Sequence, residues 1–310
     1  MRVTASAPGK LNLLFRVGDE RDDGFHEVFS VYQAINIREH LTVQQAMELE
    51  ILVTGSIARQ QIDLVPTDRS NLVVKAAEQL AQTFPSQGRA GHRLCFEIEK
   101  GIPVLGGMAG GSADAAAALL AVSQLWDINL TEPELLSLGA ELGSDVPFSI
   151  LGGTALGQGR GEKLTKLDSA AFHWVLVFSA GGLSTPKVFQ KLDELRAQQS
   201  GSGSASRINI APPELSEIRD SLASGDPNRL ARWLENDLEA PAIELLPQLG
   251  KTLELARSLG ALHAQVSGSG PTVFLLAENE AHASWLVSEL TVRQQVAVAT
   301  TGNAAGAQLG

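Results

Sequence analysis

The chain has 310 residues, 44% of them apolar, a formal net charge of −11 and a single cysteine. That length and apolar content bury a large core and suit two lobes. The acidic balance excludes a nucleic-acid surface, which needs a basic patch, and leaves any anion to oriented amides and a few lysines. With Cys95 alone, no disulfide forms within the chain, as suits a reducing compartment. No apolar run approaches the ~18 residues of a membrane span, and no signal-like segment opens the chain. A soluble, cytoplasmic protein is expected.

In chain order, residues 1–17 read as a strand, a polar crossing and a second strand, and 27–37 and 41–53 as further strands rich in Val, Ile and Leu. Asn71 to Phe84 predicts a helix, with Leu72, Val73, Ala76, Ala77 and Leu80 on one face. Leu94, Phe96 and Ile98 alternate with Arg93, Cys95, Glu97 and Glu99, the period of a half-buried strand that ends at Lys100. Thr131-Glu-Pro-Glu starts another helix, with threonine as cap. His173–Ser179 predicts a buried strand, and Gln198–Ser206 a polar, mobile surface loop. The last third is mostly helical up to Ala264–Val266, with a strand over Thr272–Ala277. Gly250-Lys251-Thr252 imitates the end of a P-loop, but Leu245 stands where its first glycine belongs. The triplet is read as a helix break. The pattern is α+β, with one domain over 1–170 and a second over 171–310.

The most informative segment is Pro103-Val104-Leu105-Gly106-Gly107-Met108-Ala109-Gly110-Gly111-Ser112-Ala113-Asp114, which runs straight into an alanine helix. Glycine lets backbone N–H groups approach a ligand with no Cβ in the way. The following helix N-terminus adds unpaired donors and partial positive charge. Four glycines between a strand and a helix favour a phosphate site over a simple cap. Ser112 and Asp114 suit cap or first-turn positions. The dinucleotide fingerprint is absent, and Gly157, Gly159 and Gly161 have the wrong spacing for it.

Three further clusters stand out. Ala7-Pro8-Gly9-Lys10-Leu11-Asn12-Leu13 puts Lys10 and Asn12 on one side of an extended segment, ahead of a turn at Asp22-Asp23-Gly24 and then Phe25-His26. In Gly143-Ser144-Asp145-Val146-Pro147-Phe148, the Asp145 carboxylate either accepts a hydroxyl proton or caps a helix, and spacing does not choose. Ser267-Gly268-Ser269-Gly270-Pro271-Thr272 is a small-residue turn that closes either on phosphates or, the commoner case, on facing backbone.

These four clusters, in this order, resemble the GHMP kinases, named for galactokinase, homoserine kinase, mevalonate kinase and phosphomevalonate kinase. The element Arg21-Asp-Asp-Gly-Phe-His-Glu27 narrows the resemblance to members that act on a cytidine-diphosphate-bearing methylerythritol in non-mevalonate isoprenoid synthesis. The resemblance covers nearly the whole chain. It implies a two-lobed fold, a ribosomal S5 domain 2-like N-terminal lobe and a ferredoxin-like C-terminal lobe, and phosphoryl transfer from ATP with Mg²⁺ to the 2-hydroxyl of that substrate. By position, Lys10 and Asp145 match the catalytic lysine and aspartate. Asn12, Phe25, His26 and, more loosely, Thr185 match substrate contacts, with Asp145 at the acceptor hydroxyl. Phe25 replaces a usual tyrosine. Asn71 and Lys100 align with nucleotide contacts, and Pro103–Ala113 with the phosphate loop, where Met108-Ala109 departs from the common Gly-Leu. Ser112 is the implied magnesium ligand. A homoserine- or mevalonate-type kinase, or a non-catalytic nucleotide-binding protein on the same scaffold, are the rival readings. Arg21–His26 weighs against the first, and the pair Lys10 and Asp145 against the second.

Overall fold

The computed structural model describes residues 1–87, 93–179, 181–200, 210–212 and 214–310. The first half contains β1 (Arg2–Glu20), β2 (His26–Gln45), β3 (Glu50–Gly55), α1 (Arg59–Ile62), α2 (Leu72–Thr83), β4 (Leu94–Lys100), α3 (Gly110–Leu125), α4 (Glu132–Leu142), α5 (Val146–Leu151), β5 (Thr154–Gln158) and β6 (Lys163–Leu167). The second half contains β7 (His173–Phe178), α6 (Thr185–Ser200), α7 (Leu215–Ser224), α8 (Pro227–Leu230), β8 (Glu235–Asn236), α9 (Glu239–Leu245), α10 (Gln248–Ser258), β9 (His263–Val266), β10 (Val273–Ala277), α11 (Glu280–Val292), β11 (Val296–Thr301) and β12 (Gln308–Leu309).

Two sheets organise these elements. The first runs β12-β1-β2-β4-β3, with β5 on β2, β6 on β5 and β8 on β1; the second runs β11-β7-β10-β9. The alanine-rich α3 packs on β1 and β2 and meets α2, α4 and α5. Ala113, Ala115, Ala116, Ala117, Ala118 and Ala121 are all buried, so the small side chains let this helix lie at the centre of the core. Cys95 is a buried thiol, and burial raises its pKa.

The structure corrects several expectations. The opening of the chain is one strand rather than two: β1 passes through Lys10 and Asn12 with register shifts between Pro8 and Gly9 and between Asn12 and Leu14. Such bulges re-aim side chains without ending the strand. The strands expected over 27–37 and 41–53 divide elsewhere, because β2 continues through Arg38 and Glu39. Arg38 donates to the carbonyls of Ser6, Ala305 and Gly306, and Glu39 is wholly buried, so these polar residues are satisfied inside the sheet. Gly250–Thr252 is no helix break. It lies in the first turns of α10, whose Leu249, Thr252, Leu253 and Ala256 share a buried face. Of the loop expected over Gln198–Ser206, residues 198–200 finish α6, and the rest lies outside the described residues.

The other elements follow the pattern. Asn71 caps α2, its side chain accepting from Val73 N–H at 3.0 Å. Thr131 and Glu134 form a capping box at α4. The turn at 21–25 closes with Gly24 N–H on Arg21 carbonyl and Arg21 N–H on Phe25 carbonyl.

Candidate active site

A cleft of about 830 Å³ runs between the glycine loop, the middle of β1 and β2, and the start of α6. Its floor is set by β1. Lys10 is buried, and its Nζ donates to Asn12 Oδ1 at 2.6 Å. Asn12 Nδ2 donates to Ser30 Oγ at 2.9 Å, and Ser30 Oγ to the Leu14 carbonyl at 2.9 Å. Gln265 holds the Asn12 carbonyl from the second sheet at 2.9 Å. The Lys10 ammonium thus has a fixed address: Asp145 Oδ2 lies 3.8 Å away, and the Tyr32 ring centre 5.5 Å away. Burial lowers the Lys10 pKa, and the nearby Asp145 charge opposes that fall.

Asp145 sits at the N-terminus of α5, yet its side chain makes no capping hydrogen bond. The cap role falls to its backbone carbonyl, which accepts from Ser149 N–H at 3.1 Å. The carboxylate is turned instead to the cleft and to Lys10. The side-chain cap, one of the two readings open at Asp145, is not made.

The glycine loop is shaped by three residues with positive φ: Leu105 at 55°, Gly107 at 76° and Ala109 at 59°. Helix α3 begins at Gly110 directly after Ala109, with no side-chain cap. Ala113 N–H is the first to bond within the helix, to the Ala109 carbonyl at 2.9 Å. The N–H groups of Gly110, Gly111 and Ser112 therefore have no intrahelical acceptor and face a cleft that all three residues line. Unpaired amides at a helix N-terminus have the chemistry to receive an anion. The structure also revises two expectations. Asp114 falls in the second turn of α3 rather than the first, and Ala113 faces the core with its N–H already used. Met108 likewise buries its side chain, and its carbonyl accepts from Lys10 N–H at 3.2 Å, tying the loop to β1. Pro103, Val104, Leu105, Gly106 and Gly107 line the cleft.

The turn Ser267–Thr272 closes on facing backbone. Ser267 Oγ donates to Gly107 carbonyl at 3.2 Å, and Thr272 N–H to Gly106 carbonyl at 3.4 Å. Gly268 and Ser269 also line the cleft, and Ser269 Oγ shares a 2.8 Å hydrogen bond with Thr185 Oγ1.

Behind the loop, Lys100 Nζ lies 2.6 Å from both Glu39 Oε1 and Asp114 Oδ2. All three side chains are buried. Burial, then the Asp114 charge, push the Glu39 pKa up to about 8 against the pull of Lys100. Burial works against the Lys100 charge, but Asp114 and Glu39 outweigh it and raise its pKa. Lys100 thus reaches the cleft as a braced cation. Asn71 lines the cleft with its amide committed to Val73 N–H and the Pro66 carbonyl.

At the other end, His26 Nε2 lies 3.1 Å from Asp193 Oδ1, and its ring packs 5.0 Å from that of Phe189. Phe25 is half exposed, with the Arg160 guanidinium 5.1 Å from its ring centre. Tyr32, Glu39, Arg160, Phe189 and Asp193 escape a reading of the sequence. The spacing of Phe189 and Asp193, one helical turn apart on α6, is the one signal available for that pair.

Among the described residues no group of three acidic, histidine or cysteine side chains is placed to hold a metal ion. No described helix is long and apolar enough to cross a membrane.

Comparison with known proteins agrees with this geometry. The model of the GHMP kinases N terminal domain matches residues 71–153, and that of the GHMP kinases C terminal matches 218–291. A 4-diphosphocytidyl-2-C-methyl-D-erythritol kinase of Nocardia farcinica is 48% identical over 292 residues, spanning 93% of this chain and 89% of that one. The enzyme of the same name from Corynebacterium diphtheriae is 44% identical over 307 residues, covering 96% and 95%. A crystal structure of a 4-(cytidine 5'-diphospho)-2C-methyl-D-erythritol kinase superposes with a TM-score of 0.74 at 29% identity, over 97% of this chain and 99% of that one. A homoserine kinase from Cytophaga hutchinsonii shares the fold, with a TM-score of 0.69 at 16% identity.

Proposed function

The chain belongs to the GHMP kinases, and from that premise we propose the division of labour within its cleft. The protein is a small-molecule kinase that transfers a phosphoryl group from ATP to the 2-hydroxyl of 4-diphosphocytidyl-2-C-methyl-D-erythritol, a step of non-mevalonate isoprenoid synthesis. The observation that carries the chemistry is the Asp145 carboxylate, uncapped and turned to Lys10 across from the open amides of α3.

The triphosphate lies along Gly106 to Ser112, its oxygens on the N–H groups of Gly110, Gly111 and Ser112. Asn71 and the region beside Lys100 hold the base and sugar end. The acceptor enters from the opposite end, where Phe25, His26 and Thr185 line the cleft and Asn12 orients Lys10. Asp145 takes the proton of the 2-hydroxyl as its oxygen bonds to the γ-phosphorus and the bond to the β-phosphate oxygen breaks. Lys10, facing the Asp145 carboxylate at 3.8 Å, balances charge on the phosphoryl group in transit. The hydroxyl of Ser112, a hard oxygen donor in the first turn of α3 and lining the cleft, suits Mg²⁺. With no cluster of three acidic, histidine or cysteine ligands among the described residues, such an ion would be held mainly by the triphosphate. When bound, Mg²⁺ neutralises phosphate charge. The division between a nucleotide-side domain and a second domain falls near residue 170, between β6 and β7, and the protein works in the cytoplasm.

The test is turnover on a panel of alcohols with ATP, with ³¹P NMR of the product. The cytidine diphosphate compound should be converted to its 2-phosphate with release of ADP. Turnover of mevalonate or homoserine instead would reassign the substrate, and binding of ATP with no turnover of any alcohol would remove the enzyme reading.

A further inference from the structure

The turn between β5 and β6, Gly157-Gln158-Gly159-Arg160-Gly161-Glu162, takes no part in the phosphate cradle, yet it is built tightly against the cleft. Val28 N–H donates to the Gly159 carbonyl at 2.8 Å, and Arg160 N–H to Glu162 Oε2 at 2.7 Å. A Cβ at Gly157 would stand 2.3 Å from Tyr32 Cε2, and one at Gly161, where φ is 106°, 2.3 Å from Tyr32 Oη. Only glycine fits against that ring, so the turn is fixed in place and presents Arg160 from a rigid base.

The charges that line the cleft make Arg160 distinct. Among the described residues its permanent cations are Lys10, Lys100 and Arg160. Lys10 faces Asp145, and Lys100 is wedged between Glu39 and Asp114. Arg160 is over the Phe25 ring and has no ion-pair partner among the described residues. Glu20, Asp114, Asp145 and Asp193 line the same cleft, so an anionic substrate enters a site with acid on several sides. An unneutralised guanidinium is the group left to meet it.

We propose that Arg160 clamps the diphosphate of the cytidine-bearing substrate, with its guanidinium held by stacking on Phe25. The inference rests on the function proposed above. A guanidinium offers a planar fork that matches phosphate oxygens in pairs, which an ammonium does not. Stacking on the ring restricts the long side chain before the ligand arrives and so lowers the ordering cost of binding. Phe25 is half exposed and lines the cleft, so ring surface is left for a pyrimidine. Arg160 and Phe25 would thus read two adjoining parts of one ligand, its charge and its ring.

Calorimetric titration of cytidine 5'-diphosphate and of cytidine, with the wild type, Arg160→Gln and Arg160→Lys, tests this. Arg160→Gln should weaken cytidine diphosphate about tenfold or more and leave cytidine within about twofold, so that the preference for the phosphorylated ligand collapses. Arg160→Lys should recover part of the loss, because it restores charge without the fork. KM for the substrate should rise in parallel, with KM for ATP within about twofold, which also certifies a folded variant. Independently of any variant, wild-type affinity for cytidine diphosphate should fall with added salt more steeply than that for cytidine. Unchanged affinity for cytidine diphosphate in Arg160→Gln, or a rise confined to KM for ATP, overturns the clamp. A wild type that phosphorylates the cytidine substrate while Arg160→Gln binds it normally would sink only the clamp. A wild type with no such activity would sink the function on which it rests.

Discussion

Lys10 Nζ stands 3.8 Å from Asp145 Oδ2 but 2.6 Å from Asn12 Oδ1, so the lysine is anchored by the amide and only faces the carboxylate. That spacing leaves Asp145 oxygens available to a hydroxyl. Replacing Asp145 with Asn keeps the shape and removes the base. Turnover should fall by roughly 10²–10⁴-fold, with ATP affinity measured by calorimetry almost unchanged. A variant with near-wild-type kcat would show that the proton leaves by another route.

The same pair sets a pH limit. Burial lowers the Lys10 pKa and Asp145 holds it up, so the charged lysine is lost on the alkaline side below the ordinary 10.5. kcat should decline there as pH rises. Removing the negative charge in Asp145→Asn should lower the Lys10 pKa further, as read by NMR of ¹³C-methylated lysine. An unmoved or raised Lys10 pKa in that variant would mean that the two groups do not sense each other.

Gly107 is the point where the glycine loop touches the turn that faces it. Its φ is 76°, and an added Cβ would lie 2.2 Å from the Ser267 carbonyl oxygen. Gly107→Ala must move backbone against backbone, at a cost of at least ~1–3 kcal/mol in strain. The expected result is a lower Tm together with a raised KM for ATP. Gly111 has open space around the same atom apart from Leu72 at 3.7 Å, so Gly111→Ala serves as the mild control for Tm alone.

Glu39 gives stability a pH dependence of defined sign. Its carboxyl is pushed from 4.5 to about 8 by burial and Asp114, so the folded chain keeps a proton that the unfolded chain has lost across that window. This contribution is complete below the unfolded pKa and disappears as pH rises through the folded one. Glu39→Gln keeps an acceptor for Gly101 N–H, which donates to Glu39 Oε2 at 3.0 Å, and no longer titrates. Urea melts should show the variant gaining on the wild type as pH rises from about 5 to about 8. A constant difference across that range would place the ionised form in the folded protein.

Much of the site was legible because its chemistry is local in sequence. The glycine loop, the Lys10–Asn12 pair and the helix starts at Asn71 and Thr131 each declare themselves within a few residues. What escaped is chemistry assembled across the chain. Glu39 reads as an ordinary strand residue until Lys100 and Asp114 are packed against it, and Asp193 gains meaning only beside His26. Element boundaries failed for the same reason. Arg38 and Glu39 look like a break between strands, but partners at Ser6, Ala305, Gly306 and Lys100 satisfy them within one. The pattern at Gly157–Gly161 was visible but unassigned, since the Tyr32 ring against Gly157 and Gly161 and the positive φ and Glu162 carboxylate at Gly159 explain why those positions lack side chains.

Strand β12 returns to pair with β1, Ala5 with Leu309 and Ser6 with Gln308, a few residues before Lys10. The chain therefore passes between the two sheets after β6, crosses to β8 on β1 and back before β9, and returns once more after β11, where Gly302 N–H on Phe172 carbonyl and Ala304 N–H on Ala34 carbonyl stitch the last passage down. Repeated passages resist the swinging motion that a single tether would permit. Entry to the cleft then lies at its rim, among side chains such as Leu105, Phe25 and Arg160 that stand outside this stitched frame.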